Sequence, residues 1–360
     1  MEDSFAEQIV PGAYLRVQAE ALIAPKGVAT GNVGIIGTAA AAQGVTNAIG
    51  QTHILSSLED ARSLYAPSDA VSSGNLNLVR GIELLFRNGA TTVYAHALAQ
   101  GASQQTFADA TDELLKDPVN LLVAPELSTS VATSVLKSAV NTGENNGRDV
   151  IAVIGSDVTA PDDIADQVQA DKRVVLCAPA IFAFDASAGQ EVAYPGGYTA
   201  AAVAGLIASL APQSSPTNKV LPGITRLGTR FGYGQLKALL QDDVLPLESR
   251  QGVRVVRGIT TEGGAFAQIT TRRIVDTAKA GIRQVTSAFI GKLNNERVRK
   301  AMQGSVDGFL TSMVVDEALV GYTLEVKASR QDEIAGRCVV NVAMQPVFSI
   351  DYIRVTLALS

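Results

Sequence analysis

Apolar residues in this chain fall into short continuous runs, separated by polar stretches with helical spacing. The first run is Gly31-Asn-Val-Gly-Ile-Ile-Gly-Thr-Ala. It is followed by Thr91-Thr-Val-Tyr-Ala-His-Ala-Leu, Val119-Asn-Leu-Leu-Val-Ala-Pro, Asp149-Val-Ile-Ala-Val-Ile-Gly and Arg173-Val-Val-Leu-Cys-Ala-Pro. Each is short, rich in β-branched residues or Leu, and apolar at consecutive positions, as a strand covered on both faces should be. Residues 73–88, 103–116, 129–141 and 160–170 suit helices. Leu76, Val79, Ile82, Glu83 and Phe86 fall mostly on one apolar stripe. Asp109, Asp112, Glu113 and Asp117 line a solvated face. This alternation predicts an α/β domain with a mostly parallel sheet over about 25–190.

The pattern changes after Ala211. Pro212-Gln-Ser-Ser-Pro-Thr-Asn reads as a loop. Helices over about 233–243, 268–288 and 294–315 then mix with strands over 253–258, 319–328, 336–345 and 350–358, which predicts an α+β unit. Both ends of the chain carry apolar segments without helical period. Near the start, Ile9, Val10, Tyr14, Leu15 and Val17 flank the Pro11-Gly12 turn. Near the end, Ile350, Tyr352 and Ile353 open a run in which Ile353, Val355, Leu357 and Leu359 alternate with Arg354, Thr356 and Ala358. That is a half-buried strand by pattern.

Composition narrows the classes. The length of 360 residues points to two domains. With 47% apolar and 18% charged residues, the chain is not of the disordered class. Two cysteines and two histidines exclude a disulfide scaffold and leave little for His-based chemistry. A net charge of −6 argues against non-specific nucleic-acid binding. The acidic start has no basic and apolar leader segments, so the expectation is a soluble chain made in the cytoplasm. Tyr198 to Leu210 falls short of the ~20 apolar residues of a membrane span and reads as a buried helix. Charge is uneven. From Arg250 to Lys300 there are eleven Lys/Arg against three Asp/Glu, a local +8 that leaves −14 elsewhere. Solvated helix faces and a basic surface for an acidic partner are both compatible with that.

Motifs for chemistry are weak. Gly31, Gly34 and Gly37 do not have the spacing of a dinucleotide fingerprint and lie within the strand, where they fit close backbone approach. There is no Gly-Lys-Ser/Thr of a phosphate loop and no Gly-x-Ser-x-Gly elbow. His96 fits a core histidine, and Cys177 and Cys338 fit small buried hydrophobes. Asp162-Asp163 and Asp242-Asp243 look like a helix start and a helix end rather than acid–base pairs. Arg272-Arg273 could clamp phosphate, but no Gly-rich loop or acidic metal site accompanies it. No cofactor and no metal site are expected.

A set of segments in a fixed order says more than any of them alone. Val10-Pro-Gly-Ala-Tyr-Leu resembles the P-G-V-Y strand of the contractile tail sheath proteins of phages, R-type bacteriocins and contractile injection systems. Gly31 to Ala39 resembles their V-x-x-F-V-G-x-A segment. Pro195-Gly-Gly-Tyr-Thr-Ala-Ala-Ala-Val-Ala-Gly-Leu-Ile-Ala resembles their P-x-x-x-x-A-G-x-x-A helix, and Ser215-Pro-Thr-Asn their S-P-A-N loop. Gly252-Val-Arg-Val-Val-Arg-Gly-Ile-Thr-Thr is similar to the strand leading into their R-T motif, although Ile259-Thr260 stands where Arg-Thr is usual. Thr271-Arg-Arg-Ile-Val-Asp, Phe289-Ile-Gly-Lys-Leu-Asn-Asn, Gly308-Phe-Leu, Val320-Gly-Tyr and Ile350-Asp-Tyr-Ile-Arg-Val follow in family order. The resemblance covers about 1–40 and 190–360.

The resemblance implies an outer α/β domain over 25–190, an inner tube-proximal α+β domain over 191–347, an N-terminal arm over 1–24 and a C-terminal arm over 348–360. The arm strands would pair with neighbouring subunits, through Ile9, Val10, Tyr14, Leu15, Val17, Ile350, Tyr352, Ile353, Val355 and Leu357. Lys292, Arg297, Arg299 and Lys300 would face the tube. The implied partners are further copies of the chain in a helix, an inner tube protein, and baseplate and tail-terminator proteins, without nucleic acid or membrane insertion. The implied role is a non-enzymatic sheath subunit of a phage tail or contractile injection particle that drives the tube through a target membrane. An α/β enzyme or small-ligand binder using the crevice at the sheet edge, or a non-contractile assembly subunit, is the alternative.

Overall fold

The runs that are apolar throughout become strands with both faces covered. The computed structural model describes residues 28–65, 76–185 and 189–357. Its main sheet contains β1 (Val33–Thr38), β2 (Thr52–Leu55), β3 (Val93–Leu98), β4 (Leu121–Val123), β5 (Ile151–Gly155) and β6 (Val174–Ala178), with β10 (Leu245–Ser249) and β11 (Val253–Val255) added later in the chain. In β3, β4, β5 and β6 every residue is buried. The order is β11-β10-β6-β5-β4-β1-β3-β2. The six strands from β10 to β3 run parallel, in registers such as Val33↔Val93, Val33↔Leu121 and Ala152↔Val174. The edge strands β2 and β11 are antiparallel to their neighbours.

Helices cover both faces. On one side lie α1 (Leu58–Leu64), α2 (Leu78–Arg87) and α7 (Gly196–Ser209), whose Ile82, Leu85, Val203 and Ile207 pack with Val33, Ile35 and Val153. On the other lie α3 (Gln104–Leu114), α4 (Thr129–Ala132), a π-helical stretch (Thr133–Lys137), α5 (Ser138–Asn145), α6 (Pro161–Asp166) and α8 (Tyr233–Gln241). Their Phe107, Leu114, Leu136 and Val140 meet Ile36, Leu122 and Ile154. The Ala-rich segment is the buried helix its length implied. From Tyr198 to Ile207 α7 has no exposed residue. No helix among the described residues is long and apolar enough to cross a membrane.

A small antiparallel sheet follows the main one, ordered β8 (Gln190–Tyr194), β7 (Ile181–Asp185), β9 (Ile224–Leu227). Sequence reading missed it for a physical reason. β7 is Ile-Phe-Ala-Phe-Asp, so its outward positions are as apolar as its inward ones and the alternation is hidden. The outward Phe182 is covered by the Arg226 guanidinium, 3.5 Å from its ring centre.

The described residues divide into two compact units, Ala29–Thr270 with residues 349–357, and Thr271–Phe348 with Val28. The sheet does not stop near 190, where the sequence placed a boundary. β10 and β11 extend it, because Leu245, Leu247, Val253 and Val255 complete its core. In the second unit, α10 (Glu296–Val315) follows α9 (Ile269–Ser287), which crosses the boundary. Then come β12 (Leu319–Lys327), α11 (Arg330–Ile334) and β13 (Val339–Pro346). β12 and β13 form a two-stranded ribbon, with Lys327↔Val339 at one end and Gly321↔Gln345 near the other. Val306, Leu310 and Met313 of α10 are buried. Tyr322 of β12 donates to the Asp307 carboxylate at 2.6 Å, tying strand to helix.

Candidate assembly surfaces

The groups tested for chemistry take structural positions. His96 is buried on β3, with Nδ1 3.0 Å from Thr52 Oγ1, and burial holds its pKa below the ordinary histidine value. Cys177 is fully buried with its thiol on the Ile154 carbonyl, and burial pushes its pKa up. Cys338 is half-buried. Asp162 and Asp163 lie in the first turn of α6, and Asp242 caps the end of α8. Among the described residues, no group of three or more His, Cys, Asp or Glu could hold a metal.

The alternative reading would use the crevice at the carboxyl ends of the sheet. The chain leaves β1 toward β3 through α2 and returns to β4 through α3, on the opposite face. The ligand position of such a sheet lies beyond the carboxyl ends of β1 and β4. Here Glu126 bridges the two strand ends, its carboxylate accepting from both the Thr38 amide and the Thr38 hydroxyl at 2.6 Å. The start of α7 closes the neighbouring strand end. A Cβ at Gly196 would stand 1.9 Å from the Ser156 carbonyl oxygen, and one at Gly155 1.7 Å from that of Gly196.

The basic region does not form one surface. In α9, Arg272, Arg273 and Lys279 are buried. Arg272 pairs with Asp276 at 2.6 Å, and burial lowers the pKa of Arg273 to about 10. Of the four residues expected at the tube, Arg299 is largely covered and bridges Glu333 of α11 at 3.0 Å and Asn294. Lys300 is exposed and pairs with Glu296 one turn away. Lys292 lies over the Phe289 ring. Arg297 is exposed. Beside them, Ile290 and Leu293 are also exposed.

The C-terminal segment contrasts with the rest. Ile350, Tyr352, Ile353, Val355 and Leu357 are 73–88% exposed. Residues 351–357 make no strand, although alternation predicted one. A strand needs a partner for its N–H and C=O groups, and among the described residues no strand pairs with it. The segment is nevertheless fixed at its root. The buried Asp351 carboxylate accepts from Arg257 Nε at 2.7 Å, Gln268 Nε2 at 3.0 Å and Thr217 Oγ1 at 3.3 Å. Gln268 also accepts from the Ser349 amide at 3.1 Å. This cluster joins three separate segments, and no one of them reveals it in the sequence. Its signal was the charged residue interrupting the apolar run at Ile350-Asp-Tyr-Ile. The N-terminal set, Ile9, Val10, Tyr14, Leu15 and Val17, lies outside the described residues.

A sequence model of the phage tail sheath protein central domain matches residues 100–261, and one of the phage tail sheath C-terminal domain matches 261–360. The chain belongs to the phage tail sheath protein family. The first match includes the middle of the chain, where only a generic α/β pattern was legible. A search of curated protein sequences finds no match. Solved structures show that the sheath fold extends over almost the whole chain. The helical sheath of the anti-feeding prophage in its contracted state aligns with a TM-score of 0.76 at 18% identity, covering 98% of this chain and 99% of that one. The contracted PVC sheath complex of an extracellular contractile injection system gives 0.75 at 17%, covering 98% of each. The sheath tail protein of Desulfitobacterium hafniense gives 0.69 at 12%, covering 94% and 97%.

Proposed function

We propose that this sheath protein is the repeating subunit of a contractile helical sheath. Copies stack around an inner tube, store energy in an extended lattice, and repack into a shorter and wider one that drives the tube through a target membrane. Identical contacts that do not close on themselves generate such a helix. The C-terminal segment, and with it the N-terminal one, adds as a strand to a neighbouring copy. Main-chain hydrogen bonds then bind, and alternating side chains set register. The receiving site is the β12–β13 ribbon, which has one unpaired edge on each side among the described residues. The partners are the same chain, an inner tube protein, and baseplate and tail-terminator proteins. The particle is a phage tail or a contractile injection machine, and the subunit has no catalytic role.

One observation carries this reading: an apolar, alternating segment that is anchored at its root and exposed beyond it. Leaving five such side chains in water wastes burial of roughly 1.5–3 kcal/mol each. Contraction follows from the family and from the contracted state of the sheaths that share the fold. Lys292, Arg297 and Lys300, next to Ile290 and Leu293, are the group we assign to the tube. Arg299 supports them from below.

The test is electron microscopy of the purified chain, with and without residues 352–360. The full chain is expected to polymerise into wide striated tubes. The truncated chain is expected to remain a folded monomer by circular dichroism. Normal tubes from the truncated chain would remove the C-terminal arm from the assembly contact.

A further inference from the structure

The arm described above leaves the fold through a built anchorage, and we infer that Asp351 with Arg257, Gln268 and Thr217 is a clasp that sets where the arm starts and in which direction it points. This rests on the reading of residues 352–357 as an arm that pairs with a second copy of the chain.

The geometry is that of a designed attachment rather than a chance contact. Asp351 is only 6% exposed at its side chain, while its neighbours Ile350 and Tyr352 are 79% and 75% exposed. One residue is thus buried between two that are not. Its Oδ2 takes two donors, Arg257 Nε and Gln268 Nε2, and its Oδ1 takes the Thr217 hydroxyl. That hydroxyl cannot turn away cheaply. It already accepts from Ser215 Oγ at 2.8 Å and from the Gly258 amide at 3.0 Å, so its hydrogen is left for Asp351. Gly258 in turn must be glycine, because a Cβ there would stand 2.5 Å from Pro216. The Ser215-Pro-Thr-Asn loop and the Arg257-Gly258 pair are therefore two walls of one socket.

The grip extends two residues before Asp351 and one after it. The Arg257 guanidinium lies 5.5 Å from the centre of the Tyr352 ring, so one planar cation holds the carboxylate and faces the next side chain. Gln268 holds the backbone of Ser349 at both ends, accepting from its amide at 3.1 Å and donating to its carbonyl at 3.3 Å. The chain from 349 to 352 is thereby fixed, and the apolar side chains beyond it at Ile353, Val355 and Leu357 are exposed among the described residues. Pairing with a second copy requires the strand to arrive in one register. A fixed root removes most of the orientations that a free tail would have to give up on binding.

The test separates the clasp from the arm. A nitroxide on Ile353→Cys, in a Cys338→Ser background, reports the mobility of the arm root in the monomer by electron paramagnetic resonance. We expect a restricted spectrum with Asp351 present and a mobile one in Asp351→Ala. In the same proteins the concentration at which tubes form should rise on the order of tenfold, as for loss of a charge-assisted hydrogen bond, while far-UV circular dichroism is unchanged. Asp351→Asn keeps one uncharged acceptor oxygen, which serves Arg257 and Gln268 more weakly, and puts an NH2 where Thr217 needs an acceptor, so it should fall between the two. It also serves if the alanine variant does not fold. An equally restricted label in Asp351→Ala, or in Asp351→Asn should that alone fold, overturns the clasp. So does an unchanged tube threshold when removal of 352–360 abolishes tubes. If removing 352–360 leaves tubes intact, the arm reading fails, and the label still decides whether Asp351 fixes the root.

Discussion

At the scale of single residues, the positions that looked like candidates for chemistry act through packing. Gly196 opens α7 in backbone contact with the strand end at Ser156, where a Cβ would stand 1.9 Å from a carbonyl oxygen. Backbone cannot give way as a flexible side chain can. Gly196→Ala should therefore cost about 3 kcal/mol, the upper range for overpacking, read as a lower midpoint in urea. His96 gives a pH prediction. Burial depresses its folded pKa, so the unfolded chain takes up the proton first. Stability from this residue is present above the unfolded value of about 6.5 and is lost as pH falls from there through the folded pKa. Urea midpoints of the native chain should drop over that window, and His96→Gln, which cannot titrate, should lose this part of the slope. A native slope equal to that of the variant would place the dependence on other groups. The thiols divide in the same way. Cys338 should react with a soluble disulfide reagent in the native protein, and Cys177 only in denaturant, because burial keeps its thiol protonated and out of reach.

At the scale of elements, legibility followed the match between burial and polarity. β1, β3, β4, β5 and β6 were readable because strands buried on both faces are apolar throughout. α7 was readable from its length and lack of charge. The β7–β8–β9 sheet was not, since Phe182 and Phe184 occupy its outward positions. β10 was hidden because Pro246 interrupts a run only five residues long. The basic stretch misled because charge count carries no direction. Arg299, grouped by sequence with Arg297 and Lys300, belongs to a different surface of α10 and holds Glu333 of α11. Arg299→Ala should therefore lower the melting temperature, whereas Arg297→Glu with Lys300→Glu should leave it unchanged and weaken association with the tube protein. A melting temperature unaffected by Arg299→Ala would return that residue to the tube-facing group. The anchorage of Asp351 was out of reach of sequence, because Thr217, Arg257 and Gln268 approach it only through the fold.

At the scale of the whole molecule, what distinguishes this chain is the mismatch between its well-filled interior and its unsatisfied C-terminal segment. The main sheet is covered on both faces, and Glu126 ties the end of β4 to Thr38 at the end of β1. The segment from Ile353 to Leu357, by contrast, exposes Ile353, Val355 and Leu357 and pairs with no strand among the described residues. If that segment adds to another copy, as proposed, the contact is head-to-tail, with a donor end and a receiving edge on every subunit. Such polarity has a consequence that simple loss of assembly does not test. On the proposed reading, a subunit lacking 352–360 keeps its receiving edge and its N-terminal segment, so it can accept a C-terminal arm but cannot donate one. Mixed in at a small fraction with full-length chain, it should enter tubes and shorten them, as read from length distributions in electron micrographs. Pre-labelled truncated chain should be found within those tubes. If it is incorporated and lengths do not change, the donated strand is not what carries growth, and another face of the subunit must do so.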